Sequence, residues 1–173
     1  DQKPFKAVEK ALASDPISVF GGIVAVNFSV TAEMARHFST IFLECILAPQ
    51  FEPQALEIFS AKKNLRLLEW DFRNYRVNEE FRSVSGGVLI QMADQKFSKP
   101  SEWQIIGQKP DESLTQTILF GEKVCAQLKS NAIALVSEGQ TVGLGMGQVN
   151  RIDAVEQAIL RWKSHHPQAK EVV

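Results

Sequence analysis

The sequence predicts an α/β protein in which helices cover a mainly parallel sheet. Two stretches carry that expectation: residues 1–70 alternate helical and strand-like periods, and residues 111–173 read helix, strand, strand, helix. At 173 residues, 45% hydrophobic and 23% charged, the chain is sized for one domain or two closely packed subdomains, with a substantial core.

Pro4 to Ser14 reads as a helix with Phe5, Val8, Ala11 and Leu12 on one face. Asp15-Pro16 ends it, because the residue before a proline is pushed out of the α region. Ile17 to Phe20 leads through Gly21-Gly22 into Ile23–Val26, expected to be a buried strand. Thr31 can cap a second helix whose apolar face is Ala35, Phe38, Ile41 and Phe42. Cys45 to Ala48 is a short apolar strand stopped by Pro49. Pro53 suits the first turn of a helix running to about Lys62, and Leu65 to Glu69 is a third strand.

Residues 71–110 are more polar. Strand-like runs at Arg82–Val84 and Val88–Gln91 flank Gly86-Gly87, which fits a hairpin or an irregular, extended excursion. Asp111 to Lys129 returns to helical spacing through Leu114, Ile118, Val124, Cys125 and Leu128. Strands at 131–136 and 140–144 follow. A helix then runs from Asn150 to about Ser164, with Ile152, Val155, Ile159 and Trp162 on its apolar face.

A formal net charge of −1 gives no global attraction to nucleic acid or anionic membrane. No apolar run approaches the ~20 residues of a transmembrane helix, and Asp-Gln-Lys-Pro-Phe-Lys at the start lacks the apolar core of a secretory signal. Cys45 and Cys125 show no metal spacing and read as buried free thiols, which suits a reducing cytoplasm.

The most informative segment is Ser130–Arg151: an apolar strand, a polar turn, a short strand, then a glycine-spaced loop before the last helix. Gly143, Gly145 and Gly147 remove Cβ atoms where a ligand can approach, and the helix start just beyond offers N–H groups to an anion. The same glycines also fit a tight hairpin closing against a helix. Asn131 and Arg151 favour the ligand reading, since both can converge on polar groups. Neither glycine frame fits G-x-G-x-x-G, because the sixth position is Gln148 or Asn150, and Gly-Lys-Ser/Thr is absent.

Other candidates keep two readings each. Gly21-Gly22 permits close backbone approach and Phe20 can stack on a ring, or the segment is a turn with a core aromatic. Lys62-Lys63 either complements a helix C-terminus or binds phosphate. Glu44 is either a solvated rim carboxylate or holds a donor-rich ligand. His37 and His165-His166 read as structural, with no metal role. The H-x-E and P-C-x-x-C ligands of zinc deaminases are missing, as is a G-x-S-x-G nucleophile elbow.

Taken together, Ser14–Val26, Leu43–Pro49, Gln54–Leu68, Gly86–Gln91, Lys129–Ala132 and Val142–Val155 resemble, in order, the transformylase domain of the bifunctional AICAR transformylase/IMP cyclohydrolase family. AICAR is aminoimidazole carboxamide ribotide. The resemblance implies a cytidine-deaminase-like three-layer α/β sandwich, a mixed sheet flanked by helices, without the zinc. It implies formyl transfer from 10-formyltetrahydrofolate, as co-substrate, to the 5-amine of AICAR in a cytoplasmic homodimer, with no metal in the chemistry. It sets Asn131 near the reacting amine and formyl group, Arg151 and the Gly21 backbone at the carboxamide or its surroundings, and Gly22 beside them among the substrate-binding residues. Glu44 falls near the nucleotide, Lys63 within reach of its phosphate and Phe20 near the folate ring, while Gln148 and Asn150 share the loop.

The family's K-H-x-N-P-x-G and S-D-x-F-F-P-F segments do not occur in these 173 residues. Residues 1–173 are therefore expected to be the central part of the transformylase domain, inactive alone. A non-catalytic α/β module that binds a nucleotide or partner is the alternative. A dinucleotide-dependent oxidoreductase is a third reading, opposed by both failed glycine frames.

Overall fold

The computed structural model describes residues 3–72, 77–94 and 96–173. Residues 1, 2, 73–76 and 95, which include parts of the amino-terminal stretch and of the irregular 71–110 region, lie outside the described residues. The chain divides into two compact units, one of residues 1–22 with 98–173 and one of residues 23–97.

In the first unit, helix α1 (Pro4–Ser14) has proline in its first turn and buries Val8 and Leu12. Helix α4 (Glu112–Cys125) starts at Asp111, whose Oδ1 accepts the Leu114 N–H at 2.8 Å. Strands β6 (Ile133–Ser137) and β7 (Gln140–Gly145) form an antiparallel hairpin. Its turn residues, Glu138 and Gly139, both have positive φ, the backbone that matches the twist of a two-residue hairpin. Residue 173 exchanges both backbone hydrogen bonds with Val136, so the C-terminal segment lies along β6.

Helix α5 (Arg151–His165) packs on this hairpin through small residues. The expected face of Ile152, Val155, Ile159 and Trp162 is buried only in part: Ile152 is 69% exposed and Val155 exposed, Ile159 and Trp162 are half-buried, and the fully buried positions are Ala154 and Ala158. The reason lies across the interface. A Cβ on Gly143 would collide with the Ala158 carbonyl, and one on Gly145 with the Ala154 carbonyl. Glycine opposite alanine lets helix and strand backbones touch, which large side chains would prevent. Gly121 does the same for α4, where a Cβ would lie 2.9 Å from Val136 Cγ2.

In the second unit, strands β1 (Gly22–Ala25, whose first residue closes the other unit), β2 (Leu43–Ala48) and β3 (Arg66–Glu69) form a sheet in that order. β2 and β3 are parallel, with Cys45 opposite Arg66 and Ala48 opposite Glu69. Helices α2 (Ala32–Ser39) and α3 (Pro53–Phe59) supply the core residues Ala35, Phe38, Ala55 and Phe59, beside Ile46 of β2. Thr31 caps α2 as expected, accepting the Met34 N–H at 3.3 Å. Phe42, assigned from sequence to the α2 face, lies beyond the helix end and is exposed. β1 is not the buried strand the sequence predicts, since Ile23 is exposed and burial is complete only at Val26. α3 ends at Phe59 rather than near Lys62.

Strands β4 (Glu79–Val84) and β5 (Gly87–Met92) make a hairpin, one of the two readings the sequence leaves open, with Gly86 in the left-handed region at its turn. The architecture is therefore α/β. Among the described residues the strands form a three-stranded sheet and two antiparallel hairpins.

Candidate functional site

Asn131 stands just before β6, and its side chain clamps the loop that enters α5. Its Nδ2 donates to the carbonyls of Gln148 and Val149, each at 3.0 Å. Two carbonyl acceptors fix which end of the amide is nitrogen. The backbone of Asn131 pairs with Gln148 in both directions, at 3.2 and 3.5 Å, and the Ser130–Asn131 peptide is cis. With both Nδ2 hydrogens committed, the side chain has one group left to offer a ligand, the acceptor Oδ1.

The rest of the loop is held from within. Gln157 Oε1 accepts the Met146 N–H at 3.0 Å and Gln148 Nε2 at 3.3 Å, and Gln148 Nε2 also donates to the Met146 carbonyl. Gly147, in the left-handed region, donates its N–H to the Lys129 carbonyl at 2.7 Å. Asn150 is the N-cap of α5: its Oδ1 accepts the Asp153 N–H at 2.9 Å and its Nδ2 donates to Asp153 Oδ2 at 2.8 Å. The expectation of a simple anion site at this helix start is corrected accordingly. One N–H is taken by the cap, and the Asp153 carboxylate already occupies the first turn. Arg151 follows, exposed at the first helical position.

The three loop glycines also divide. Room at Gly143 and Gly145 is filled by the backbone of α5, so these two are packing positions rather than ligand space. At Gly147 nothing would lie within 4 Å of a Cβ.

A second segment of this unit carries Phe20, Gly21 and Gly22. Gly21 has φ +71°, and a Cβ on Gly22 would lie 2.9 Å from the Val19 carbonyl oxygen, so both glycines are required by the turn itself. Phe20 is 72% exposed and is not a core aromatic. Asp15 organises the turn. Its Oδ1 accepts from the N–H groups of Ile17 and Ser18, and its Oδ2 from Ser18 Oγ and, at 2.7 Å, from Arg161 Nη1 of α5. The neighbouring His166, at the end of α5, is buried with a ring nitrogen 3.0 Å from the Ser14 carbonyl oxygen.

Burial pushes the Asp15 carboxyl up, but the Ser18 and Ile17 hydrogen bonds and the Arg161 charge outweigh it and hold the group below its ordinary 3.8. Because the folded value is the lower one, the stabilisation is whole above the unfolded value and is lost as pH falls through the folded value. Asp15→Asn is expected to lower the thermal midpoint at neutral pH. The gap to the unmodified chain should then close as pH is taken below about 3.8, read by circular dichroism melts.

Glu44 and Lys63 belong to the second unit. Glu44 is exposed on β2. Lys63 lines a cleft of about 340 Å³ whose walls are Phe38–Leu43 and Ala61–Leu65. Lys62 Nζ spans those walls, donating to the Ser39 carbonyl at 2.7 Å, while Lys63 is exposed.

Sequence reasoning missed Gln157 and the organising role of Asp15. Asp15 had a local signal, since Asp-x-x-Ser is the pattern of a carboxylate that caps its own turn. Gln157 had none, because its contacts cross from helix to loop. Among the described residues, no group of three or more His, Cys, Asp or Glu side chains gathers as a metal site. Among the same described residues, no helix is long and apolar enough to cross a membrane.

The fold and this clamped loop define an α/β chain with a candidate small-molecule site at the entry to α5. A sequence profile of the AICARFT/IMPCHase bienzyme matches residues 1–161, and the chain belongs to that family. It is 44% identical over 154 residues to the bifunctional purine biosynthesis protein PurH of Synechococcus elongatus, covering 88% of this chain and 30% of that protein. It is 46% identical over 155 residues to PurH of Oceanobacillus iheyensis, with the same shares. Against PurH of Mycobacterium leprae the identity is 43% over 159 residues, 90% of this chain and 30% of the relative. The chain thus spans about 30% of the length of these relatives.

Proposed function

We propose that this chain supplies part of the site that transfers a formyl group from 10-formyltetrahydrofolate to the 5-amine of AICAR in purine synthesis. The setting is a cytoplasmic homodimer with a cytidine-deaminase-like sandwich fold. Family membership supports the reading, and the observation that carries it is the Asn131 clamp. A side chain left with a single fixed acceptor suits an amine, whose N–H it can hold while the nitrogen lone pair faces the formyl carbon.

In the reaction the amine nitrogen attacks the formyl carbon, the bond from that carbon to N10 of the folate breaks, N10 gains a proton and the amine loses one. The amine is a weak nucleophile because the ring carboxamide withdraws electron density. A general base contributes roughly 10²–10⁴-fold to such a transfer. The family's Lys-His pair is the candidate for that task, and its segment is not within these 173 residues. Asn131 orients, and Arg151 with the Gly21-Gly22 backbone holds the carboxamide. Glu44 binds near the nucleotide, Lys63 meets the phosphate, and Phe20 stacks near the folate ring. Gln148 shapes the loop and Asn150 sets the start of α5.

The dinucleotide reading loses its physical basis, because the space a pyrophosphate would need at Gly143 and Gly145 is occupied by α5. The experiment is a formyl-transfer assay on the purified chain. No product above background is expected from the 173 residues alone. Transfer that Asn131→Ala abolishes would contradict the assignment of the proton-moving groups to another segment.

A further inference from the structure

Ala154, Gln157, Ala158 and Arg161 stand at i, i+3, i+4 and i+7 of α5 and so form one stripe of the helix. The two alanines press the helix backbone against Gly145 and Gly143 of β7, which fixes how far the stripe stands from the strand. The two polar members each tie down a segment of the candidate site. Arg161 holds the Asp15 turn that leads to Phe20 and Gly21. Gln157, half-buried, holds the loop that Asn131 clamps.

The Gln157 amide is used here at its oxygen. Oε1 accepts the Met146 N–H at 3.0 Å and one Gln148 Nε2 hydrogen at 3.3 Å. A backbone N–H only donates, so the atom facing it is the oxygen. The second Gln148 Nε2 hydrogen goes to the Met146 carbonyl at 3.1 Å and closes a ring of the three residues. At the end of this ring are the Gln148 and Val149 carbonyls that receive Asn131 Nδ2. Between its two loop members lies Gly147, in the left-handed region with open space at its Cβ position, where the backbone is freest to swing.

We infer that Gln157 is a positioning residue for formyl transfer: by fixing residues 146–148 against α5 it sets the two carbonyls, and through them the place of Asn131 Oδ1. A group that meets the reacting atoms is only as well placed as the shell of contacts behind it. This role rests on the one given to Asn131 in the proposed function. It demands an acceptor at position 157 and no donor. Gln157→Glu should therefore serve, whereas Gln157→Met, similar in length and helix propensity, should not.

Two measurements test it: kinetics in a polypeptide that carries this chain in frame with the Lys-His segment, and hydrogen exchange of the Asn131 side-chain amide by NMR. Gln157→Met should lower kcat about tenfold, with a change of about threefold or less in KM for AICAR. It should also speed exchange of the Nδ2 hydrogens about tenfold. Gln157→Glu should stay within about threefold of the original in each quantity. In an Asn131→Ala background, Gln157→Met should cost less than about a further twofold, because the residue through which it acts is already gone. Equal losses in the two backgrounds would place the effect of Gln157 elsewhere and overturn the inference. Exchange and kcat both unchanged by Gln157→Met also overturn it, and leave the role of Asn131 standing. Transfer indifferent to Asn131→Ala overturns that role, and the positioning role with it.

Discussion

Gly145→Val is expected to destabilise the first unit by about 3 kcal/mol or more, the upper end of what overpacking costs, because the obstruction is backbone. At Gly145 the new Cβ meets the Ala154 carbonyl oxygen, which belongs to the hydrogen-bond ladder of α5 and cannot rotate aside. Either α5 lifts from β7 or β7 bends. Both expose Ala154 and Ala158, which are now fully buried. Gly147→Ala is the informative contrast. Its Cβ would meet nothing within 4 Å, so its cost is confined to the left-handed backbone, roughly 1 kcal/mol. Urea unfolding of both variants measures the difference. Equal losses would show that α5 does not sit on β7 at this separation.

The second large effect concerns Asn131. In a polypeptide that carries this chain in frame with the Lys-His segment, Asn131→Ala is expected to lower kcat about 10²-fold, the cost of misplacing a reacting group by about an ångström. Two things fail together. The acceptor Oδ1 is gone, and the carbonyls of Gln148 and Val149 lose the donors that hold them at 3.0 Å. Asn131→Asp separates these contributions poorly but tests the clamp. It keeps an acceptor, yet sets a carboxylate against two carbonyl oxygens, so it should be at least as harmful as alanine. Steady-state kinetics on both variants, with AICAR and folate varied in turn, check this. An aspartate variant close to the original would mean that the clamp does not matter.

Much of this was legible in the sequence because it is local. Pro4 and Asp15-Pro16 bracket α1, Thr31 announces α2, and Gly86-Gly87 between two apolar runs marks the hairpin. What escaped depends on partners remote in the chain. The buried face of α5 is Ala154 and Ala158, which a search for large apolar residues passes over. Only the glycines of β7 make those alanines the right choice. The mainly parallel sheet was an extrapolation from alternating elements, which fix strand existence but not which strands pair. In the candidate site, Gly143 and Gly145 had two readings that no spacing rule separates, since closeness to a ligand and closeness to a helix demand the same missing Cβ. Asn131 was legible as a polar residue at the start of a strand, whereas its commitment to the Gln148 and Val149 carbonyls was not.

Exposed apolar side chains remain on the outside of the first unit, among them Ile17, Val149, Ile152 and Leu160. Val149 and Ile152 lie within two residues of Arg151 in sequence and are exposed, apolar groups available to a planar heterocycle. These exposed groups and the Asn131 acceptor together make a ligand-binding claim that does not wait on catalysis. Titration calorimetry of the chain with AICAR, and separately with NAD, tests it most directly. Saturable heat with AICAR that Asn131→Ala weakens, and none with NAD, is the result expected. Binding of NAD without AICAR, or AICAR binding untouched by Asn131→Ala, would contradict the account.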